Sequence, residues 1–191
     1  MKQLVFATNN SHKLEEVKSM VQLDYRIVSL SEIGCFDEIP ETEPTLEGNA
    51  LLKAQYIFDK YKMNCFADDT GLEIEALDGR PGVYSARYAG SDCIAANNID
   101  KVLKEMQYFE NRKACFRTVI ALIIDGNSHF FEGKVEGHIL RSPSGLKGFG
   151  YDPIFMPIGY SGSFAELSPD IKNQISHRAL AVKNLINHLN H

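Results

Sequence analysis

The feature that most constrains this chain is the stretch Cys65-Phe66-Ala67-Asp68-Asp69-Thr70-Gly71-Leu72-Glu73-Ile74. It opens as an apolar run suited to a buried strand and then presents two adjacent carboxylates, a hydroxyl and a glycine. It resumes with Leu72, Ile74 and Ala76 alternating against Glu73 and Glu75. Side chains alternate along a strand, so the two acids point to opposite sides of the chain. One can then face a reactive site while its neighbour bonds backbone or a basic partner. Gly71 lets the chain turn sharply or lets a ligand approach the backbone closely. Carboxylates so placed suit a hard divalent cation and an activated water. The same Asp-Asp-Thr-Gly run also suits an ordinary turn, and the stretch alone leaves both readings open.

Strands and helices alternate around it. Leu4 to Ala7 reads as a first strand buried on both faces, followed by the polar loop Thr8-Asn9-Asn10-Ser11 and a helix carrying Leu14, Val17 and Val21 on one face. Asn10 or Ser11 is a natural N-cap. The loop then offers free backbone N–H groups to an anion, with Lys13 in the first helical turn beside it. Arg26 to Leu30 predicts a second strand, and the acidic, proline-punctuated segment from Cys35 to Pro44 a loop whose carboxylates either meet solvent or supply a metal ligand. Thr45 to Lys62 predicts a long helix on which Asn49 and Lys53, four residues apart, share a face. Ile94 to Tyr108 reads as a further helix, and Cys115–Ile124 with His129–Ile139 as a hairpin joined through Asp125-Gly126-Asn127. Ile175, Ala179, Val182, Ile186 and Leu189 step at helical spacing to the C-terminus. Between these lies Asp78 to Gly90, whose glycines, proline and aromatics suit a structured loop.

Composition narrows the function classes. The 191 residues fit one domain with an ample core. A net charge of −5, from 20 basic and 25 acidic residues, argues against a general nucleic-acid-binding surface. The cysteines at 35, 65, 93 and 115 are widely spaced with no C-x-x-C, which suggests neither zinc nor a redox pair. The apolar run Val119–Ile124 is too short to span a bilayer, and the N-terminal apolar run is too short for a signal core. The expectation is a cytoplasmic protein without membrane or nucleic-acid partners.

A second constellation is Ser144-Gly145-Leu146-Lys147-Gly148-Phe149-Gly150-Tyr151-Asp152. Its glycines and aromatics suit either a tight turn or a pocket in which a ring stacks on a planar ligand and Asp152 accepts from a base edge. Lys172, Ser176, His177 and Arg178 follow at the entrance of the last helix. Basic groups there oppose the helix dipole, so an anionic or electron-rich partner would explain them.

Six motifs then occur in order: Ala7-Thr8-Asn9-Asn10-Ser11-His12-Lys13, Glu47-Gly48-Asn49-Ala50-Leu51-Leu52-Lys53-Ala54, Ala67-Asp68-Asp69-Thr70-Gly71-Leu72, Gly82-Val83-Tyr84-Ser85-Ala86-Arg87-Tyr88, Gly148-Phe149-Gly150-Tyr151-Asp152-Pro153 and Ser176-His177-Arg178. Together they make the chain resemble the noncanonical purine nucleoside triphosphate pyrophosphatases, the inosine triphosphatase or Ham1-like family. The resemblance implies a single domain over residues 1–191 with an elongated, two-lobed α/β fold: a long mixed sheet flanked by helices, and an active-site cleft between the lobes. It implies a homodimer that hydrolyses ITP, dITP and XTP to monophosphate and pyrophosphate with Mg²⁺.

Carried over by residue, the resemblance implies that the loop Thr8, Asn9, Asn10, Ser11, His12 and Lys13 holds the triphosphate, with Lys53 neutralising phosphate. Asp69 becomes the general base and a metal-site residue, Thr70 lines the site, and Glu41 helps hold the metal. Phe149 stacks on the base within Phe149-Gly150-Tyr151-Asp152, and Asp152 meets its ring edge. Lys172, His177 and Arg178 contact phosphate or the 6-oxo group. The chain departs from the family pattern at Asn9, where glycine is common, and at Pro40, where some members carry glutamate. Two rivals stand beside this reading: a related house-cleaning pyrophosphatase for other modified nucleotides, and a nucleotide-binding regulatory module without turnover.

Overall fold

A computed structural model describes residues 2–21 and 25–190. Among the described residues seven strands form one sheet: β1 (Lys2–Phe6), β2 (Tyr25–Val28), β3 (Cys65–Ile74), β4 (Pro81–Gly82), β5 (Lys113–Ile124), β6 (Asn127–Ile139) and β7 (Phe155–Pro157). Their order is β2-β1-β3-β5-β6-β7, with β4 paired to β3. The sheet is mixed: β1 runs parallel to β2 and β3, whereas β3–β4 and β6–β7 are antiparallel. Five α-helices accompany it among the described residues: α1 (Ser11–Met20), α2 (Leu46–Tyr61), α3 (Ala95–Glu105), α4 (Pro169–Ile175) and α5 (His177–Leu189). The α/β class and the mixed sheet are as the family resemblance implies.

The chain divides into two compact units, residues 1–69 with 118–133 and 178–191, and residues 70–117 with 134–177. In the first, strand alternation sorts the core. Leu4 and Phe6 of β1 and Phe66 of β3 pack with Val17 of α1 and Ala181, Val182 and Leu185 of α5. Their neighbours Val5, Ala7, Cys65 and Ala67 pack instead with Ala50, Ala54 and Ile57 of α2. Burying both faces explains why these strands read as continuous apolar runs. In the second unit, Leu72 and Ile74 of β3, Ile99 and Val102 of α3, and Phe116, Tyr151, Phe155 and Phe164 form a separate core.

The local signals are capped as their chemistry requires. Asn10 and Thr45 accept hydrogen bonds from Lys13 N and Gly48 N at the starts of α1 and α2. Asp125 and Gly126 both adopt positive φ, 50° and 82°, between β5 and β6, the geometry of a two-residue hairpin turn.

One open reading is settled, and two helices differ from expectation. The Asp68–Gly71 segment is not a turn, because β3 runs unbroken from Cys65 to Ile74. Gly71 is needed for the approach of β4: a Cβ there would lie 2.7 Å from Gly82 O. The last helix does not run unbroken from its expected entrance at Lys172. Instead α4 ends at Ser176, whose ψ of 154° is extended and whose N–H closes the final bond to Lys172 O, and α5 begins at His177. The helix expected over 94–108 is shorter, with Met106 as its C-cap.

Candidate active site

The first unit builds a dense charge cluster from β3 outward. Because β3 alternates, Asp68 shares the face of Phe66, toward α1 and α5, and Asp69 shares the face of Ala67, toward α2. Asp68 Oδ1 accepts from Lys13 Nζ at 3.0 Å and Oδ2 from Arg178 Nε at 3.2 Å. The Arg178 guanidinium also donates through Nη1 to Glu16 Oε2 at 2.5 Å. Both Asp68 and Arg178 are almost wholly buried, at 1% and 2% exposure. Buried charges of this kind persist only when paired. Burial pushes the Asp68 carboxyl up, but Lys13, Arg178 and Lys53 outweigh it and hold it well below the usual carboxylate range.

Asp69 is set differently. Its Oδ2 accepts from Asn49 Nδ2 at 3.1 Å, and Asn49 Oδ1 accepts from Glu43 N at 2.9 Å. Burial raises the Asp69 carboxyl, Lys53 opposes that, and the Glu41 carboxylate raises it further, leaving it a stronger base than a free aspartate. Lys53, one turn beyond Asn49, donates to Glu41 Oε1 at 2.5 Å and to Asp68 O at 2.8 Å. Desolvation opposes its charge, yet Asp69, Glu41 and Asp68 together raise it, so the ammonium stays protonated.

The polar loop completes this half. Thr8 Oγ1 accepts from Asn10 N at 3.1 Å, and Asn9 Nδ2 donates to Asp37 O at 3.4 Å. Ser11 and His12, the first residues of α1, are exposed. Thr8–Ser11, Lys13, Glu41, Lys53, Asp68, Asp69 and Arg178 thus all belong to one unit. The arrangement can neutralise a polyanion and accept a proton. Its metal-type donors are the carboxylates of Asp69 and Glu41, which influence each other's charge. Among the described residues no group of three or more His, Cys, Asp or Glu is arranged to hold an ion. Two carboxylates fit a hard divalent cation that takes its remaining oxygens from phosphate and water.

The second unit holds the other constellation, with Thr70 at the start of its share of β3. Phe149 N donates to Asp152 Oδ2 at 2.8 Å, and Lys172 Nζ donates to the same oxygen at 2.7 Å. The Lys172 ammonium lies 4.8 Å from the centroid of the Phe149 ring, a cation–π contact. Gly148 (φ +76°) makes the turn possible, since a Cβ would sit 2.1 Å from Asp152 Oδ2. Gly150 follows with φ +60°. His177 is buried and stacks on Phe116 with centroids 4.5 Å apart. Tyr151 turns inward: it is 5% exposed and its hydroxyl donates to Ser85 O at 2.8 Å. Ser85 in turn accepts from Leu72 N at 2.8 Å and donates to Gly82 O at 2.6 Å.

Glu16 was not among the candidate residues. Its one signal is position, three residues after Lys13 on the same helical face. Asn49's bond to Asp69 was foreshadowed only by its shared face with Lys53.

Comparisons with known proteins agree with one another. The model of the Ham1 family matches residues 4–188. A Porphyromonas gingivalis protein named dITP/XTP pyrophosphatase is 57% identical over 97% of this chain and 96% of its own length. A protein of the same name from Flavobacterium johnsoniae is 51% identical over 96% of this chain and 95% of its own. The solved structure of a HAM1 protein from Coxiella burnetii superposes with a TM-score of 0.92 at 38% identity, covering 100% of this chain and 99% of that one.

Proposed function

This chain belongs to the Ham1 family, and from that premise we propose that it hydrolyses noncanonical purine nucleoside triphosphates (ITP, dITP and XTP) to the monophosphate and pyrophosphate. The observation that carries the reading is the contrast between two neighbouring carboxylates, Asp68 clamped by Lys13 and Arg178 and Asp69 kept basic on the α2 face.

The chemistry follows from these residues. The N-terminus of α1, with Thr8 to Ser11, His12 and Lys13, binds the triphosphate, and Lys53 adds charge neutralisation. Asp69 accepts a proton from water as the water oxygen bonds to the α-phosphorus. The bond from that phosphorus to the bridging oxygen breaks, and the bridging electrons leave with pyrophosphate. Asp69 and Glu41 would hold Mg²⁺, which when bound supplies further neutralisation of phosphate charge. Thr70 lies beside Asp69 and completes the phosphate contacts.

Phe149 stacks on the purine, and the segment Phe149–Asp152 frames it. Lys172 donates to the 6-oxo oxygen, with Asp152 at the ring edge and His177 beside it. Arg178 serves the phosphates through Asp68. Against adenine the donors of a 6-oxo site stay unpaired, a mismatch that can cost about 10⁴–10⁵-fold in specificity. The chain acts as a single catalytic domain, a cytoplasmic homodimer with small-molecule partners only, a reading supported by its family.

The test is a product assay on ITP with ATP and GTP as controls, in Mg²⁺ and then with chelator. Chelator-sensitive release of IMP and pyrophosphate, with ATP and GTP largely intact, is expected. Orthophosphate and IDP would mean attack at the γ-phosphate. Uptake of ITP without turnover would revive the binding module, and a much higher kcat/KM on a modified pyrimidine nucleotide would favour the other house-cleaning enzyme.

A further inference from the structure

One polar side chain of the cluster has no part in the reaction above. Asn49, in the first turn of α2, is completely buried, and both ends of its amide are engaged. Its Oδ1 accepts from Glu43 N at 2.9 Å and its Nδ2 donates to Asp69 Oδ2 at 3.1 Å. We propose that Asn49 is a positioning residue that fixes the rotation of the Asp69 carboxylate and ties it to the loop carrying Glu41. The proposal rests on the reading of Asp69 as the proton acceptor.

Three observations support it. First, the partners dictate the orientation of the amide, because a backbone N–H needs an acceptor and a carboxylate needs a donor. Aspartate has the right shape for the position but would set carboxylate against carboxylate. Second, the donor is neutral. Lys13 and Arg178 orient Asp68 by neutralising it, whereas an amide orients Asp69 and leaves its charge in place. Third, the acidic loop is seated directly on this turn of α2. A Cβ at Gly48 would lie 2.6 Å from Glu43 Cβ, and one turn on Lys53 binds Glu41. Asn49 therefore couples the loop and the strand that carry the two candidate metal-site carboxylates.

Hydrogen-bond partners standing behind a reacting or ligating group typically contribute about 10–100-fold. The test uses the full chain with Asn49→Ala and Asn49→Asp, measuring kcat and KM on ITP, calorimetric affinity for an α,β-imido ITP analogue, and the thermal midpoint. The expected result is a kcat about 10–100-fold lower in both variants with analogue affinity within about threefold of wild type. A kcat within about threefold of wild type overturns the proposal, and so does analogue affinity that falls in step with kcat, which marks a merely structural residue. A wild-type chain that does not turn over ITP defeats the functional reading separately. The position is then decided by a denaturant double-mutant cycle of Asn49→Ala with Asp69→Asn. Non-additive midpoints support the coupling and additive ones overturn it.

Discussion

Asp68 meets two cations, Lys13 from α1 and Arg178 from α5, whereas Asp69, one residue on, meets the neutral amide of Asn49 from α2. The two side chains are covalent neighbours, yet their carboxyls are displaced in opposite directions, downward for Asp68 and upward for Asp69. The difference comes from the strand's alternation, which hands successive residues to different helices. One face holds a carboxylate paired with two cations, where phosphate binding is proposed, and the other keeps a basic carboxylate whose charge Glu41 influences. A pair of acids can thus divide binding from proton transfer without any change of residue type.

The largest effect should come from removing the basic member. Asp69→Asn is expected to lower kcat on ITP by roughly 10²–10⁴-fold, the range for a positioned general base, with the protein still folded and the ITP analogue still bound. Steady-state kinetics and calorimetry read this. A near-normal kcat would end the distinction between the two acids.

Attacking the other face should give a mixed result. Lys13→Ala removes one partner of a buried pair with side chains 15% and 1% exposed. The expected loss of stability in urea unfolding is about 3 kcal/mol, at the low end for a broken buried pair because Arg178 still holds the second oxygen. KM for ITP should also rise, since Lys13 stands in the first turn of α1, where phosphate binding is proposed. Unchanged stability would mean that Asp68 does not depend on Lys13.

A smaller and different change is expected in the second unit. Lys172→Met removes the ammonium between Asp152 and Phe149. The ratio of kcat/KM for ITP over ATP should fall by about 10–100-fold, the worth of a hydrogen bond from a charged donor, with kcat nearly unchanged. A fall in kcat alone would place Lys172 in the chemistry instead of base reading.

The smallest effect should lie away from both sites. Bonds from Ser29 and then Arg26 lower the Glu32 carboxyl to about 2 from its ordinary 4.5. A depressed acid contributes stability above its unfolded pKa and loses it as pH falls through the folded value. The wild type should therefore lose more stability than Glu32→Gln between pH 4.5 and about 2. Denaturant midpoints across that window check it, and parallel curves would contradict it.

Much of the fold was legible because its signals are local. Asn10, one of two candidate caps, caps α1, Thr45 caps the helix expected to open there, and Asp125-Gly126 turns the β5–β6 hairpin. The Asp68–Asp69 stretch was harder, because two acids in an apolar run look like a chain break. What keeps the strand intact is supplied from far along the chain by Lys13, Lys53 and Arg178. No window around residue 68 contains them. The interruption at Ser176 was masked because the apolar spacing from Ile175 to Ala179 and Val182 continues in step across it. Tyr151 shows the limit at the second site. Its place in a glycine-rich motif points to a ligand, but its ring packs in the core and its hydroxyl reaches Ser85.

IMP and pyrophosphate would form whether water attacked the α- or the β-phosphorus, so product identity alone does not test the role given to Asp69. Hydrolysis of ITP in ¹⁸O-enriched water does. The account predicts that the heavy oxygen appears in the phosphate of IMP. Label in pyrophosphate, with IMP unlabelled, would contradict it.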